Sequence, residues 1–258
     1  MKKLISYSLW CNSVSIDNKT YQTHNMYLNG AIENMKLQKQ DKIYKHWIFR
    51  FYLNNTVPIE IINKLKSLGA EIVDMTNSKL PGMFWRFLPF NDKKVDIFIV
   101  RDVDSRINHR EFRAVNKWIE TKKLLHIIRD HPHHYYKILG GMWGYQNHLK
   151  RFNPDPYINK FLEKKKYKFQ RMDDMYFLDE VYDIFEKQNQ TLEHDQFFKY
   201  KNSIDFPDDS YKDDYYHYIG EVYDENNNCP QKDRDTELLK NRAYLELMKN
   251  NKNYKYYK

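Results

Sequence analysis

At 258 residues, 41% of them hydrophobic and 16% aromatic, the chain can bury a sizeable core, which excludes a disordered polypeptide even though 30% of its residues are charged. A formal net charge of +8 favours partners that carry phosphate, without choosing among nucleic acid, anionic membrane and sugar nucleotide. The two cysteines, Cys11 and Cys229, stand in no metal-ligand spacing and fit a reducing compartment, with a single bridge between them left open.

In chain order, residues 4–10 read as a short buried strand, after which Met26, Ala31, Ile32 and Met35 recur at near-helical spacing to about Gln40. Residues 47–53 give a second strand, which leads through Pro58 into a helix with Ile61, Ile62 and Leu65 on one face and Gly69 at its C-cap. Residues 70–75 make a third strand. Residues 95–100 have the continuous β-branched and aromatic character of a strand buried on both faces, and they run directly into Arg101-Asp102-Val103-Asp104. Asn108 then opens a helix with Glu111 three positions on, in the manner of a capping box, and Phe112, Val115, Trp118 and Ile119 form its buried stripe. Residues 124–128 and 138–143 are two further strands. A helix starting near Asp173 turns Phe177, Leu178 and Val181 inward and leaves Asp174 in its first turn, exposed at a cleft rim. A last helix is expected over residues 236–249, ahead of a Lys- and Tyr-rich tail. The order predicts an α/β fold, a mainly parallel sheet flanked by helices, with ligands beyond the carboxyl ends of its strands.

Asp102 and Asp104 stand at such an end. Two carboxylates one residue apart in an extended segment point to the same side, about 6.6 Å apart, and both can reach one divalent cation. A second Asp-x-Asp, Asp233 and Asp235, lies in a polar segment and shows how weak the spacing is alone. The bland alternative is a pair that caps the next helix, with Arg101 and Arg106 as ion-pair partners. His131, His133 and His134 read as solvent-facing residues of a turn around Pro132.

The wording around the aspartates is more specific than their spacing. Residues 101–106 with Arg110, Glu111, Ala114, Val115 and Trp118 resemble a family of bacterial and giant-virus glycosyltransferases of the GT-A fold. The resemblance extends to residues 7–10, 30–34, 82–87, 126–132 and 138–144, and more loosely to residues 174–178, 194–195 and 218–221. Relatives tend to carry Gln where this chain has Met175.

The resemblance implies one catalytic domain over residues 1–225, with a nucleotide-sugar half to about 145 and an acceptor-side part beyond it, followed by a polar loop, helix and tail over 226–258. It implies Mn²⁺ or Mg²⁺ on Asp102 and Asp104, with His194 as third ligand and His217 as its rival. The donor is then a nucleoside-diphosphate sugar, UDP-linked in the first instance, and the acceptor a glycan, protein or other hydroxyl. Ser8, Leu9 and Trp10 would meet the base or ribose, Arg86 the diphosphate, and Arg101, Asp102 and Val103 would complete the donor site. Gly140 and Gly141 would let the backbone approach the donor sugar. Asp104 and Asp174 would serve catalysis, Asp174 on the acceptor or donor-sugar side rather than at the metal.

The basic start Met1-Lys2-Lys3 is followed by too short an apolar stretch for a signal peptide, and no run reaches the ~18 residues of a membrane span. The cytoplasm, or a host's cytoplasm for a viral chain, is the expected location. The oligomeric state stays open between monomer and homodimer. A metal-dependent nuclease or nucleotidyltransferase also uses paired aspartates. A basic nucleic-acid-binding protein explains the charge but not the aspartates, so no nucleic-acid partner is expected.

Overall fold

The computed structural model describes residues 1–11, 14–16, 19–21, 25–165, 172–200, 202–207 and 218–229. The expected helix over 236–249, the Asp233/Asp235 pair and His217 lie outside the described residues. In order, the elements are β1 (Lys3–Leu9), β2 (Val14–Ile16), β3 (Lys19–Tyr21), α1 (Asn25–Gln40), β4 (Ile48–Leu53), α2 (Ile59–Ser67) and β5 (Glu71–Asp74). After them come α3 (Gly82–Trp85), a 3-10 turn (Leu88–Asn91), β6 (Ile97–Arg101), α4 (His109–Thr121), β7 (Leu125–Arg129) and β8 (Met142–Tyr145). The last are α5 (Asp155–Lys164), α6 (Asp173–Lys187), β9 (Thr191–Asp195) and β10 (Ser203–Ile204).

Eight of these strands form one sheet in the order β10-β9-β7-β8-β6-β1-β4-β5, and β2 pairs with β3 apart from it. Within the large sheet only β8 runs antiparallel to its neighbours, β6 and β7. The expected mainly parallel sheet flanked by helices is therefore the architecture observed. The expected strand over 138–143 is shifted: Ile138 is a buried loop residue, and the strand itself is β8. The sheet also continues past residue 145, with β9 and β10 at its edge.

The period-two alternation of the strands sorts side chains between two cores. From β1, Ile5, Tyr7 and Leu9 face α1, α2 and α4, together with Phe49, Phe51, Ile97, Ile99 and Trp118. Leu4, Phe98, Val100 and Trp143 face the opposite layer, where α5 and α6 contribute Phe161, Phe177, Leu178 and Val181. Caps fix the helix ends. The Asn108 side chain accepts the Glu111 N–H at 2.8 Å, and Gly69, at φ +90°, ends the turn after α2.

Glu111 does not close the other half of a capping box, because its carboxylate is needed elsewhere. It meets Arg101 Nε at 2.9 Å and accepts the Tyr44 hydroxyl at 2.9 Å. Arg101 Nη1 donates to the carbonyls of Val100 and Trp143 at 2.6 and 3.0 Å. Arg101 is thus buried beneath α4 and faces away from the strand ends, which corrects the expectation that its side chain binds the donor and the alternative that it pairs with the aspartates. Removing one partner of a buried pair strands the other charge. Glu111→Ala should therefore cost about 3–5 kcal/mol in urea unfolding, and a loss under ~1 kcal/mol would show that the pair carries no structural weight.

Candidate active site

The chain passes from β1 to β4 and β5 on one side, then returns to place β6 on the other side of β1. Crevices beyond the carboxyl ends of strands at such a reversal are where open α/β sheets bind ligands. The residues gathered there come from β1, α3, the turn after β6, the turn before β8 and the first turn of α6.

Arg86, just past α3, is the hub. The even-numbered positions of β1 face this layer, and the small hydroxyls of Ser6 and Ser8 allow the chain at Arg86 to lie close. Ser6 Oγ donates to the Arg86 carbonyl at 2.7 Å, and Ser8 Oγ accepts the Arg86 N–H at 2.9 Å. Ser8 thereby helps to hold Arg86, through an accepting lone pair of its hydroxyl. Ser6 was not foreseen; a second hydroxyl in register with Ser8 was its only signal. Leu9 points to the opposite core, which corrects its assignment to the donor. Trp10 stays half-buried at the strand end, edge-on to Trp85 at 5.9 Å, and packs so closely on Gly82 that a Cβ there would lie 2.7 Å from its ring.

The Arg86 guanidinium joins two carboxylates. Nη1 pairs with Asp102 Oδ1 and Nη2 with Asp174 Oδ2, the latter at 2.7 Å. Burial works against the charge of Arg86, but the Asp102 and Asp174 carboxylates outweigh it and hold the guanidinium firmly protonated. Its Nε is buried with no hydrogen-bond partner among the described residues. Asp174 does lie in the first turn of α6, yet it is buried in this pair and not exposed at a rim. Nor is it separate from the aspartate motif, since Arg86 links it to Asp102.

Asp102 and Asp104 lie in a turn, not in extended chain. β6 stops at Arg101, and the Asp102 carbonyl accepts Ser105 Oγ at 2.9 Å. Alternation past the strand end sends Asp102 toward Arg86, whereas Val103 packs among the α1-side residues, which corrects its assignment as a donor contact. Asp104 is held through its carbonyl, which accepts the Tyr223 N–H at 2.9 Å. Burial, followed by the charge of Asp102, pushes the Asp104 carboxyl from an ordinary 3.8 up to about 7.

Gly140 and Gly141 complete the arrangement by what they lack. A Cβ at Gly140 would collide with the Arg86 guanidinium and Asp174, and one at Gly141 with the Asp102 carboxylate. The ion network thus supplies its own reason for both glycines.

His194 is elsewhere. It sits fully buried in β9, its Nδ1 2.7 Å from His126 Nε2, against Phe206, and burial pushes its pKa down to about 4. Among the described residues no three His, Cys, Asp or Glu side chains gather around one metal position, so His194 does not join Asp102 and Asp104 as expected. His131 is also not solvent-facing: it is buried with its ring 4.4 Å from that of Tyr218. The aspartate pair nevertheless has the donor set of a hard divalent cation site, two carboxylates one residue apart, Asp102 exposed beside Arg86 and Asp104 partly buried. Such ions commonly take one or two carboxylates and complete their shell with water and phosphate oxygens.

No family model matches the chain, and no curated protein matches its sequence. Among solved structures it is similar to the galactosyltransferase LgtC in complex with donor and acceptor sugar analogues, at 12% identity over 76% of this chain and 74% of that one, TM-score 0.44. It is similar also to the mannosyltransferase Ktr4p from S. cerevisiae, at 12% identity over 91% and 79%, TM-score 0.46. A third is a CMP:2-keto-3-deoxy-manno-octonic acid synthetase complexed with CTP, at 9% over 79% and 94%, TM-score 0.40. Among the described residues, no helix is long and apolar enough to cross a membrane.

The raised Asp104 pKa has a signed consequence for stability. A carboxyl whose folded pKa lies above its unfolded value stabilises the fold fully below about pH 4 and loses that contribution as pH rises through about 7. With a chelator present, Asp104→Asn should therefore unfold at a higher temperature than wild type at pH 8, and the gain should vanish toward pH 4. Equal melting temperatures at both pH values would show that Asp104 carries no such penalty.

Proposed function

We propose that this chain is a metal-dependent glycosyltransferase that moves a sugar from a nucleoside-diphosphate sugar, UDP-linked in the first instance, to a hydroxyl of a glycan or protein. The observation that carries the reading is the like-charged pair Asp102 and Asp104 at the end of β6, at the reversal of strand order, with Arg86 beside it. The resemblance of residues 101–106 to the GT-A family gives the pair its chemical meaning.

In this reading Asp102 and Asp104 hold Mn²⁺ or Mg²⁺, which would neutralise charge developing on the departing diphosphate. Arg86 faces that diphosphate from the other side and has its Nε–H still without an acceptor. Asp174 is a positioning residue, fixing the guanidinium so that little reorganisation is needed as charge develops. Trp10 offers a half-exposed ring at the end of β1 for the base. Transfer breaks the bond from the anomeric carbon to the diphosphate oxygen and makes one to the acceptor oxygen, whose proton leaves. Residues beyond 145 form the acceptor side.

A panel of UDP-, GDP- and TDP-sugars, assayed for released nucleoside diphosphate with Mn²⁺, tests the proposal. One donor should turn over, and Asp104→Asn should lose at least ~100-fold, as for removal of one electrostatic stabiliser of a transition state. Undiminished turnover in Asp104→Asn would overturn the metal role. Pyrophosphate release from a nucleoside triphosphate and a sugar phosphate, with no diphosphate release from any sugar nucleotide, would replace the proposal with nucleotidyl transfer.

A further inference from the structure

On the opposite face of the sheet from Arg86, a cavity of about 390 Å³ opens between α1, the start of α4 and the segment 218–227. None of Arg86, Asp102, Asp174, Gly140 and Gly141 lines it. Arg106 does, and its electrostatics are unfinished.

The Arg106 side chain is only 7% exposed. Its Nε donates to Asn227 Oδ1 at 2.9 Å, its Nη1 to the carbonyls of Ser105 and Val103 at 3.1 and 3.4 Å, and its Cζ lies 4.8 Å from the centre of the Tyr223 ring. All of these partners are neutral. Nη2 is buried with no hydrogen-bond partner among the described residues. Every other buried arginine of the described residues has a carboxylate in ion-pair contact: Arg50, Arg86, Arg101, Arg110 and Arg129. Glu33 and Asp104 act on Arg106 through space but neither is in ion-pair contact with it, so an anion in the cavity would be the first to pair with it directly.

Two further features give the cavity its sign and shape. The thirteen-residue helix α4 presents its N-terminal end there, His109 and Arg110 included, where the helix dipole favours negative charge. Arg113, one turn on, adds a cation to the lining. The remaining wall includes Glu33, which pairs with Lys36 at 2.6 Å, Glu221, which accepts the Tyr223 hydroxyl at 2.8 Å, and Tyr218 and Tyr223, whose rings can cover the apolar face of a small polyol.

We propose that this cavity binds a small hydroxylated molecule bearing one phosphate, a sugar phosphate in class, with the phosphate on Arg106 and the start of α4. The volume lies at the lower end of small-molecule pockets and suits one phosphorylated monosaccharide. The site is separate from the aspartate pair and stands whether or not the chain transfers sugars.

Titration calorimetry on the full chain with chelator and no nucleotide tests it, using glucose 6-phosphate, inorganic phosphate and glucose as probes. Glucose 6-phosphate should bind more tightly than inorganic phosphate, and glucose should give no measurable heat. Arg106→Gln should weaken glucose 6-phosphate by about 10-fold, in line with loss of one charge-assisted contact. Because Arg106 also ties the 103–105 turn to Asn227, two gentler variants decide the matter if that protein does not fold. Glu33→Gln removes a like charge from the wall and should tighten binding, and Arg113→Gln should loosen it. No heat from either phosphate, indifference of binding to all three substitutions, or displacement by UDP with Mn²⁺ would each overturn the proposal; the last would put the phosphate at the aspartate pair instead.

Discussion

The arrangement at the strand ends depends on one guanidinium placed between two carboxylates. Arg86 is held by its backbone to Ser6 and Ser8 of β1 and by its side chain to Asp102 and Asp174, so three segments distant in sequence converge on one residue. In the absence of a metal ion it supplies part of the positive charge that the aspartate pair requires. At Asp104 burial and the charge of Asp102 outweigh Arg86 and push the carboxyl up to about 7. The site is thus charged unevenly: Asp102 is paired with Arg86, and Asp104 is not.

That placement follows from the sheet. The alternation of β1 puts Ser6 and Ser8 on the α3 side and Leu9 on the other, and the alternation of β6 sends Arg101 under α4 and Asp102 toward Arg86. A one-residue slip in either strand would exchange these roles. Past the end of β6 the chain turns, and Arg106, two residues past Asp104, lines a different cavity. The two charged regions are linked by the Tyr223 N–H on the Asp104 carbonyl and by the charges of Asp104 and Arg106, which act on each other.

Much of the layout was legible in the sequence, because strands buried on both faces and capped amphipathic helices have periodic signatures. Asn108, Gly69 and the start of α6 near Asp173 were read correctly for that reason. Side-chain partners were less legible. Glu111 looks like the second half of a capping box, yet a buried Arg101 claims it, and no local pattern reports a partner ten residues away. His194 next to Asp195 reads as a ligand pair, but successive strand residues face opposite ways: His194 meets His126 while Asp195 pairs with Arg129 at 2.9 Å. Asp174 was found by its position at a helix start, and its burial came from Arg86, 88 residues earlier in the chain. Charge pairing across such separations is set by tertiary structure and leaves no trace in spacing.

The central claim is that Asp102 and Asp104 together hold a divalent cation that a nucleoside diphosphate completes. Electron paramagnetic resonance of free Mn²⁺, titrated with the protein at pH 8 with and without UDP, measures this directly. Tight uptake of one Mn²⁺ per chain is expected only when UDP is present, and it should be lost in both Asp102→Asn and Asp104→Asn. Equal uptake without UDP, or uptake undiminished in the two variants, would contradict it.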